Sequence, residues 1–376
     1  MAKIPVSEPS IGTGEREYVN RCLESGWISS AGEFLPRFEA GCAERFGRRY
    51  GVAVSSGTAA LITALRALHL PGGSEVILPA FTIISCALAC VYNDLVPVFV
   101  DAESQTWNMN VDSVEASVGP DTRAVMAVHI YGHPVDMDPL QKIADRHDLV
   151  VVEDFAEAMG STYRGRPCGG FGRVSCTSFY ANKVITTGEG GMCLTDDEVL
   201  AEQIRRIQNL CFLPDRRFVH EEMGFNFRLT NLQAAMGVAQ LEKFEDHVEK
   251  KRWLGETYKR LLGDMESEGR LVLPAEKPWA RNSYWMFGVL LPETCAVDAA
   301  AVRAILQREG IQTRPFFFPL HRQPAFKKFG WFREQTLPVA EDLYRRGFYL
   351  PSGLTLDEAG VRRVAVTLRR VLDGLR

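Results

Sequence analysis

Five short apolar runs, at 50–54, 75–79, 96–100, 123–129 and 149–154, punctuate the first part of the chain, and helical patterns separate them. The runs do not alternate with polar residues. Strands of that kind are buried on both faces, and strands that alternate with helices assemble into a mainly parallel sheet. The chain therefore predicts an α/β fold with its ligand crevice at the carboxyl ends of the strands.

The rhythm stops near residue 245, where the composition becomes more charged. A long Ala, Gln, Glu, Leu and Lys pattern, Leu232 to Leu262, predicts one helix joining two domains. Beyond it come a strand (Tyr284 to Leu291), a helix (Ala299 to Glu309), a short strand (Ile311 to Arg314) and a Pro-rich loop through His321. Helices near Val339 to Gly347 and Leu356 to Leu372 close the chain. At 376 residues the chain exceeds what one core serves well, so the expected division is a large α/β domain, 1–245, and a smaller α+β domain, 246–376.

A formal net charge of -4 gives no general attraction for nucleic acid or an anionic membrane. The nine cysteines are scattered without a Cys-x-x-Cys pair, which predicts free thiols and neither a disulfide framework nor a metal site. No uncharged apolar stretch reaches the ~18 residues of a membrane span, and the N-terminus has no apolar leader pattern; the expected location is the cytoplasm.

Chemistry concentrates where the runs end. Ser56-Gly57-Thr58 opens a helix, a place where unpaired N–H groups and the helix dipole suit a phosphate, although a simple Ser cap is the plainer alternative. Asp154 stands at a strand end, where a carboxylate needs a cation or hydrogen bonds; a helix N-cap is the alternative there. Lys183 lies between the run Ser175 to Ser178 and the turn Gly188-Glu-Gly-Gly191. Taken alone it could be a snorkelling surface lysine. A desolvated amine, however, is nucleophilic near neutral pH and condenses with an aldehyde. Pyridoxal phosphate offers an aldehyde, a phosphate and a ring nitrogen, and Lys183, Ser178 with Ser56-Gly57-Thr58, and Asp154 offer a partner for each.

These residues resemble the pyridoxal-phosphate-dependent sugar aminotransferases of fold type I, the DegT/StrS family. The resemblance covers nearly the whole chain and is carried by 178–183, 187–191, 152–158, 224–231 and 314–321. It implies Lys183 as covalent anchor and proton carrier, Asp154 at the pyridine nitrogen, Ser178 and the Gly57-Thr58 amides at the phosphate, and Glu157 near the ring hydroxyl. It also implies a homodimer in which Asn226 reaches the neighbouring subunit's phosphate. The substrate implied is a nucleotide-linked keto sugar, a GDP-sugar above others, aminated at C4 with L-glutamate as donor; another keto sugar or a keto-cyclitol is the alternative. Trp27, Ser29, Arg228, Arg314 and His321 are candidate sugar-side residues. A non-catalytic relative of the same fold would be expected to lack Lys183 or Asp154, and both are present. Where the family stacks an aromatic on the pyridine ring this chain has Ile83, with Phe81 as the alternative.

Overall fold

The computed structural model describes residues 3–213, 215–328, 332 and 335–375. Strands β1 (Tyr50–Val54), β2 (Glu75–Pro79), β3 (Val96–Val100), β4 (Thr122–Val128) and β5 (Val150–Asp154) fall on the five apolar runs. A hairpin of β6 (Thr162–Tyr163) and β7 (Arg166–Pro167) follows, then β8 (Val174–Ser178) and β9 (Gly191–Thr195). Seven of these form one sheet in the order β1-β9-β8-β5-β4-β2-β3. β8, β5, β4, β2 and β3 are mutually parallel, whereas β9 runs antiparallel to both its neighbours, β1 and β8.

The non-alternating composition has a direct cause. Along β4, Ala124, Met126 and Val128 enter the core on one face of the sheet, and Val125 and Ala127 enter a second core on the other. Helices α1 (Thr13–Ser25), α2 (Phe34–Arg45), α3 (Gly57–Ala67), α4 (Ser85–Val91), α5 (Met137–Arg146) and α6 (Glu198–Ile207) belong to this part of the chain.

The expected single helix from 232 to 262 is two, α7 (Asn231–Glu242) and α8 (Phe244–Ser267). Lys243 leaves helical geometry at φ -105°, ψ 13°. The break turns Phe244 into the core, edge-on to Phe46 at 5.6 Å, and lets the Lys243 ammonium reach Glu15 at 3.3 Å.

After β10 (Ala280–Arg281), which pairs with β6, a second sheet forms from β11 (Phe287–Leu290), β12 (Arg314–Pro315) and β13 (Gly347–Leu350) in the order β11-β13-β12. β11 starts three residues later than its apolar pattern because Tyr284 sits at φ 51°, its N–H turned to the Asn282 side chain. Ile311 does not enter this sheet but bridges Ile4 in parallel. β13 begins where the penultimate helix was expected to end. A third core, against this smaller sheet, gathers Leu254, Tyr258, Phe287, Val302 and Leu368, and recruits Ile4 from the N-terminal segment.

All nine cysteines are free thiols. Among the described residues no helix is long and apolar enough to cross a membrane.

Candidate active site

Three chain segments meet at the carboxyl edge of the large sheet. β1 leads to Ser56, extended at φ -165°, whose hydroxyl accepts the Ala59 N–H at 3.0 Å and so caps α3. β5 ends on Asp154 and β8 on Ser178. Two glycines let them close up: a Cβ on Gly57 would lie 2.6 Å from the Ser178 Cβ, and one on Gly191 would collide with the Ser56 carbonyl. The Ser56 hydroxyl is thus the helix cap, while Gly57 and Thr58, the first residues of the helix, face the cavity that results.

That cavity has a volume of about 330 Å³ and is lined by Ser56, Gly57, Thr58, Asp154, Glu157, Ser178 and Lys183, among others. Trp285, Phe317 and Tyr349 close it from the C-terminal part of the chain. Thr58 donates its hydroxyl proton to the Ser85 oxygen at 2.8 Å, and Ser178 Oγ accepts the Tyr180 N–H at 3.2 Å.

Lys183 and the two carboxylates share a desolvated space. Burial pushes the Lys183 ammonium towards the neutral amine, and Glu157 and Asp154 pull it back. Burial raises the Asp154 carboxyl above its usual range, opposed by the Ala156 N–H, Lys183 and the Cys86 thiol. Asp154 Oδ1 accepts Ala156 N–H at 3.0 Å in a tight turn, so it caps a turn and not the helix considered as its alternative role. Glu157 is likewise raised by burial and lowered by Lys183; its Oε2 accepts the Tyr131 N–H at 3.0 Å.

Of the two candidates for the cofactor ring, Ile83 lines the cavity and is 43% exposed. Phe81 is fully buried, edge-on to Tyr131 at 6.1 Å and Phe317 at 5.8 Å.

The remaining candidates lie elsewhere in this chain. Asn226 is exposed and bridges Asn209 through its backbone. Arg228 bonds the Asn209 side chain at 2.8 Å and lines a larger, open recess of about 790 Å³ with Gly32, Arg205 and Arg217. Size does not make that recess the chemical site: it holds no lysine, and its carboxylate, Glu39, is paired with Arg205 at 3.0 Å. Trp27 and Ser29 are exposed beside it. Arg314 lines a shallow recess that shares Ile83, Phe317 and Tyr349 with the cavity. His321 is fully buried, its Nε2 2.9 Å from Glu341.

His129, Glu153 and Cys168 also cluster. Glu153 is already saturated there, with His129 and Gly169 N–H on one oxygen and Phe171 N–H and Ser175 on the other, so the group acts as a structural hub beneath Asp154.

The cavity suits pyridoxal phosphate on its own donor set. A helix N-terminus and a hydroxyl face each other across a gap that only glycine permits, a buried carboxylate faces Lys183, and the lysine is desolvated. The sequence reading had not picked out Trp285, Tyr349 or Cys86. Trp285, in the bend before β11, and Tyr349, on β13, lie where the local pattern carries only secondary structure.

The DegT/DnrJ/EryC1/StrS aminotransferase family matches residues 9–369. The chain is 40% identical over 352 residues to the GDP-perosamine synthase of Escherichia coli O157:H7, covering 94% of each. It is 38% identical over 372 residues to that of Caulobacter vibrioides, covering 99% of each. Among solved structures, DesI in the presence of its TDP-sugar product superposes with a TM-score of 0.89 at 32% identity, over 99% of this chain and 93% of that one.

Proposed function

The chain belongs to the DegT/DnrJ/EryC1/StrS aminotransferase family and is a pyridoxal-phosphate-dependent aminotransferase, and on that footing we propose that it converts GDP-4-keto-6-deoxymannose to GDP-perosamine with L-glutamate as amino donor. The likeness to GDP-perosamine synthases over nearly the whole chain carries the choice of sugar. The Lys183, Asp154 and Glu157 set supports the reaction type.

When bound, pyridoxal phosphate supplies an aldehyde carbon and a protonated ring that withdraws electrons. Lys183 Nζ would hold that carbon, and the same Nζ, poised between amine and ammonium by burial and the carboxylates, would take the proton from the donor's α-carbon. Asp154 would keep the ring nitrogen protonated, Gly57, Thr58 and Ser178 would hold the phosphate, and Glu157 would orient the ring hydroxyl. Trp285, Phe317 and Tyr349, contributed by the 246–376 domain, keep water from the anchor side. In this reading the protein is a cytoplasmic homodimer, Asn226 lies on the face turned to the partner's phosphate, and Trp27, Ser29, Arg228, Arg314 and His321 belong to the sugar side, the buried His321 acting through the Arg314–His321 loop.

The test is a panel of keto-sugar nucleotides offered with L-glutamate, the amino-sugar product being identified by mass spectrometry and NMR. Amination of another sugar, with GDP-4-keto-6-deoxymannose left untouched, would refute the substrate and leave the aminotransferase standing. Multiple turnovers by Lys183→Ala would refute the mechanism.

A further inference from the structure

Lys183 Nζ lies 3.8 Å above the centroid of the Trp285 ring. The indole is pinned on several sides. Its Nε1 donates to the carbonyl of Asn182, the residue preceding the lysine, at 2.8 Å, and Tyr131 stacks on it at 6.2 Å and 27°. Its own carbonyl accepts from Lys251 Nζ at 2.9 Å. Lys251 is fully buried on α8 and also donates to the Ser352 carbonyl; among the described residues no carboxylate pairs with it. A buried cation without a counter-ion is costly, so its place between two carbonyls calls for a reason.

We propose that Trp285 is a catalytic residue whose indole face holds the Lys183 ammonium and aims it into the cavity, and that Lys251 is the positioning residue that fixes that indole. The inference rests on Lys183 being the proton carrier. An aromatic face attracts an ammonium and not a neutral amine, and the attraction grows where water is excluded. The ionisable groups around Nζ are Glu157 and Asp154 from the end of β5, Cys86 from α4 and Lys251 from α8. The two carboxylates favour the charged lysine and Lys251 opposes it. Trp285 adds a favourable contact that carries no charge of its own, so it steadies the proton on Nζ without competing for it.

The experiment is carried out on the full chain loaded with pyridoxamine phosphate, the form in which Lys183 is a free amine. Lysine side chains are labelled with 13C at Cε, and the Lys183 signal is identified by its loss in Lys183→Arg. Trp285 is replaced site-specifically by mono-, di- and tetrafluorotryptophan, which keep the shape and drain the ring's negative face. The expected result is a stepwise fall in the Lys183 titration midpoint, reaching about one pH unit in all. Trp285→Phe should fall between wild type and Trp285→Leu. Lys251→Met should broaden the fluorine resonances of the labelled indole, a readout that the removal of its charge does not itself produce. A midpoint indifferent to fluorination would overturn the role of Trp285, and an indole signal unchanged in Lys251→Met would overturn that of Lys251. The Lys183 titration can also be followed without cofactor, so a failure of the proton-carrier role, seen as turnover by Lys183→Ala, is told apart from a failure of this one.

Discussion

The Cys86 thiol meets Oδ2 of Asp154 at 3.5 Å, while Oδ1 of the same carboxylate takes the Ala156 N–H at 3.0 Å. Burial and the Asp154 charge hold the thiol well above its usual range, so it remains an S–H donor at neutral pH. Each oxygen of Asp154 therefore has one donor from the protein, and the carboxylate is fixed in rotation. Cys86→Ala removes one constraint. The dissociation constant of pyridoxal phosphate, read by absorbance titration, is expected to rise about five- to tenfold, the worth of one buried hydrogen bond. Cys86→Ser keeps a donor and is expected to stay within about twofold. Equal behaviour of the two variants would show that the thiol only fills space.

Glu157 is the larger electrostatic support of the Lys183 ammonium. Glu157→Gln removes the charge and keeps the shape and the acceptor for Tyr131 N–H. With less to hold its proton, Lys183 becomes a free amine at lower pH, so the acid limb of the kcat profile should move down by about one pH unit. An unmoved or upward limb in a pH–rate series would contradict that role.

Lys251 is lowered by burial, and further by Lys183, to about 7. Its unfolded value is the ordinary one near 10.5, so between about pH 7 and 10.5 the unfolded chain binds the extra proton. Stability from this group therefore rises with pH across that window and is lowest below it. Lys251→Met abolishes the dependence. The difference in unfolding free energy between variant and wild type should favour the variant more at pH 6.5 than at pH 9.5, by about 3 kcal/mol, in denaturant titrations at both values. A difference independent of pH would mean that the lysine stays charged throughout.

Gly57 faces Ser178 with no space for a methyl group. Gly57→Ala should lower stability by about 1–3 kcal/mol through overpacking and weaken inorganic phosphate and cofactor binding together. Calorimetry with each ligand tests this. Loss of stability with phosphate affinity intact would remove Gly57 and its neighbouring helix end from the phosphate site.

Where the sequence was legible, the cause was local. The five apolar runs announce β1 to β5 because alternate side chains enter cores on opposite faces, which leaves place for a polar residue only where, like Glu153, it is fully hydrogen-bonded. Asp154 and Ser178 are conspicuous for ending such runs. Trp285 was not legible, since its partner Lys183 lies on a distant segment and its surroundings read as a strand that Tyr284, at φ 51°, delays. The break at Lys243 depends on Phe46 and Glu15, both far along the chain, and helix propensity runs straight through it. The reversed direction of β9 has no local signature either, since an apolar run reads alike in both directions.

That reversal matters for the lysine. A parallel neighbour would have required a crossover of a dozen or more residues to the far end of the sheet. Because β9 returns beside β8, with Ser178 opposite Gly191, the segment 179–190 leaves and re-enters at one edge, and Phe179 bonds both Gly190 and Thr187 across its base. The anchor thus hangs from a closed clasp. Its travel between donor and ring is left to rotations about its own carbon–carbon bonds, motions of picoseconds to nanoseconds where the side chain is unhindered, so no backbone rearrangement need accompany a turnover.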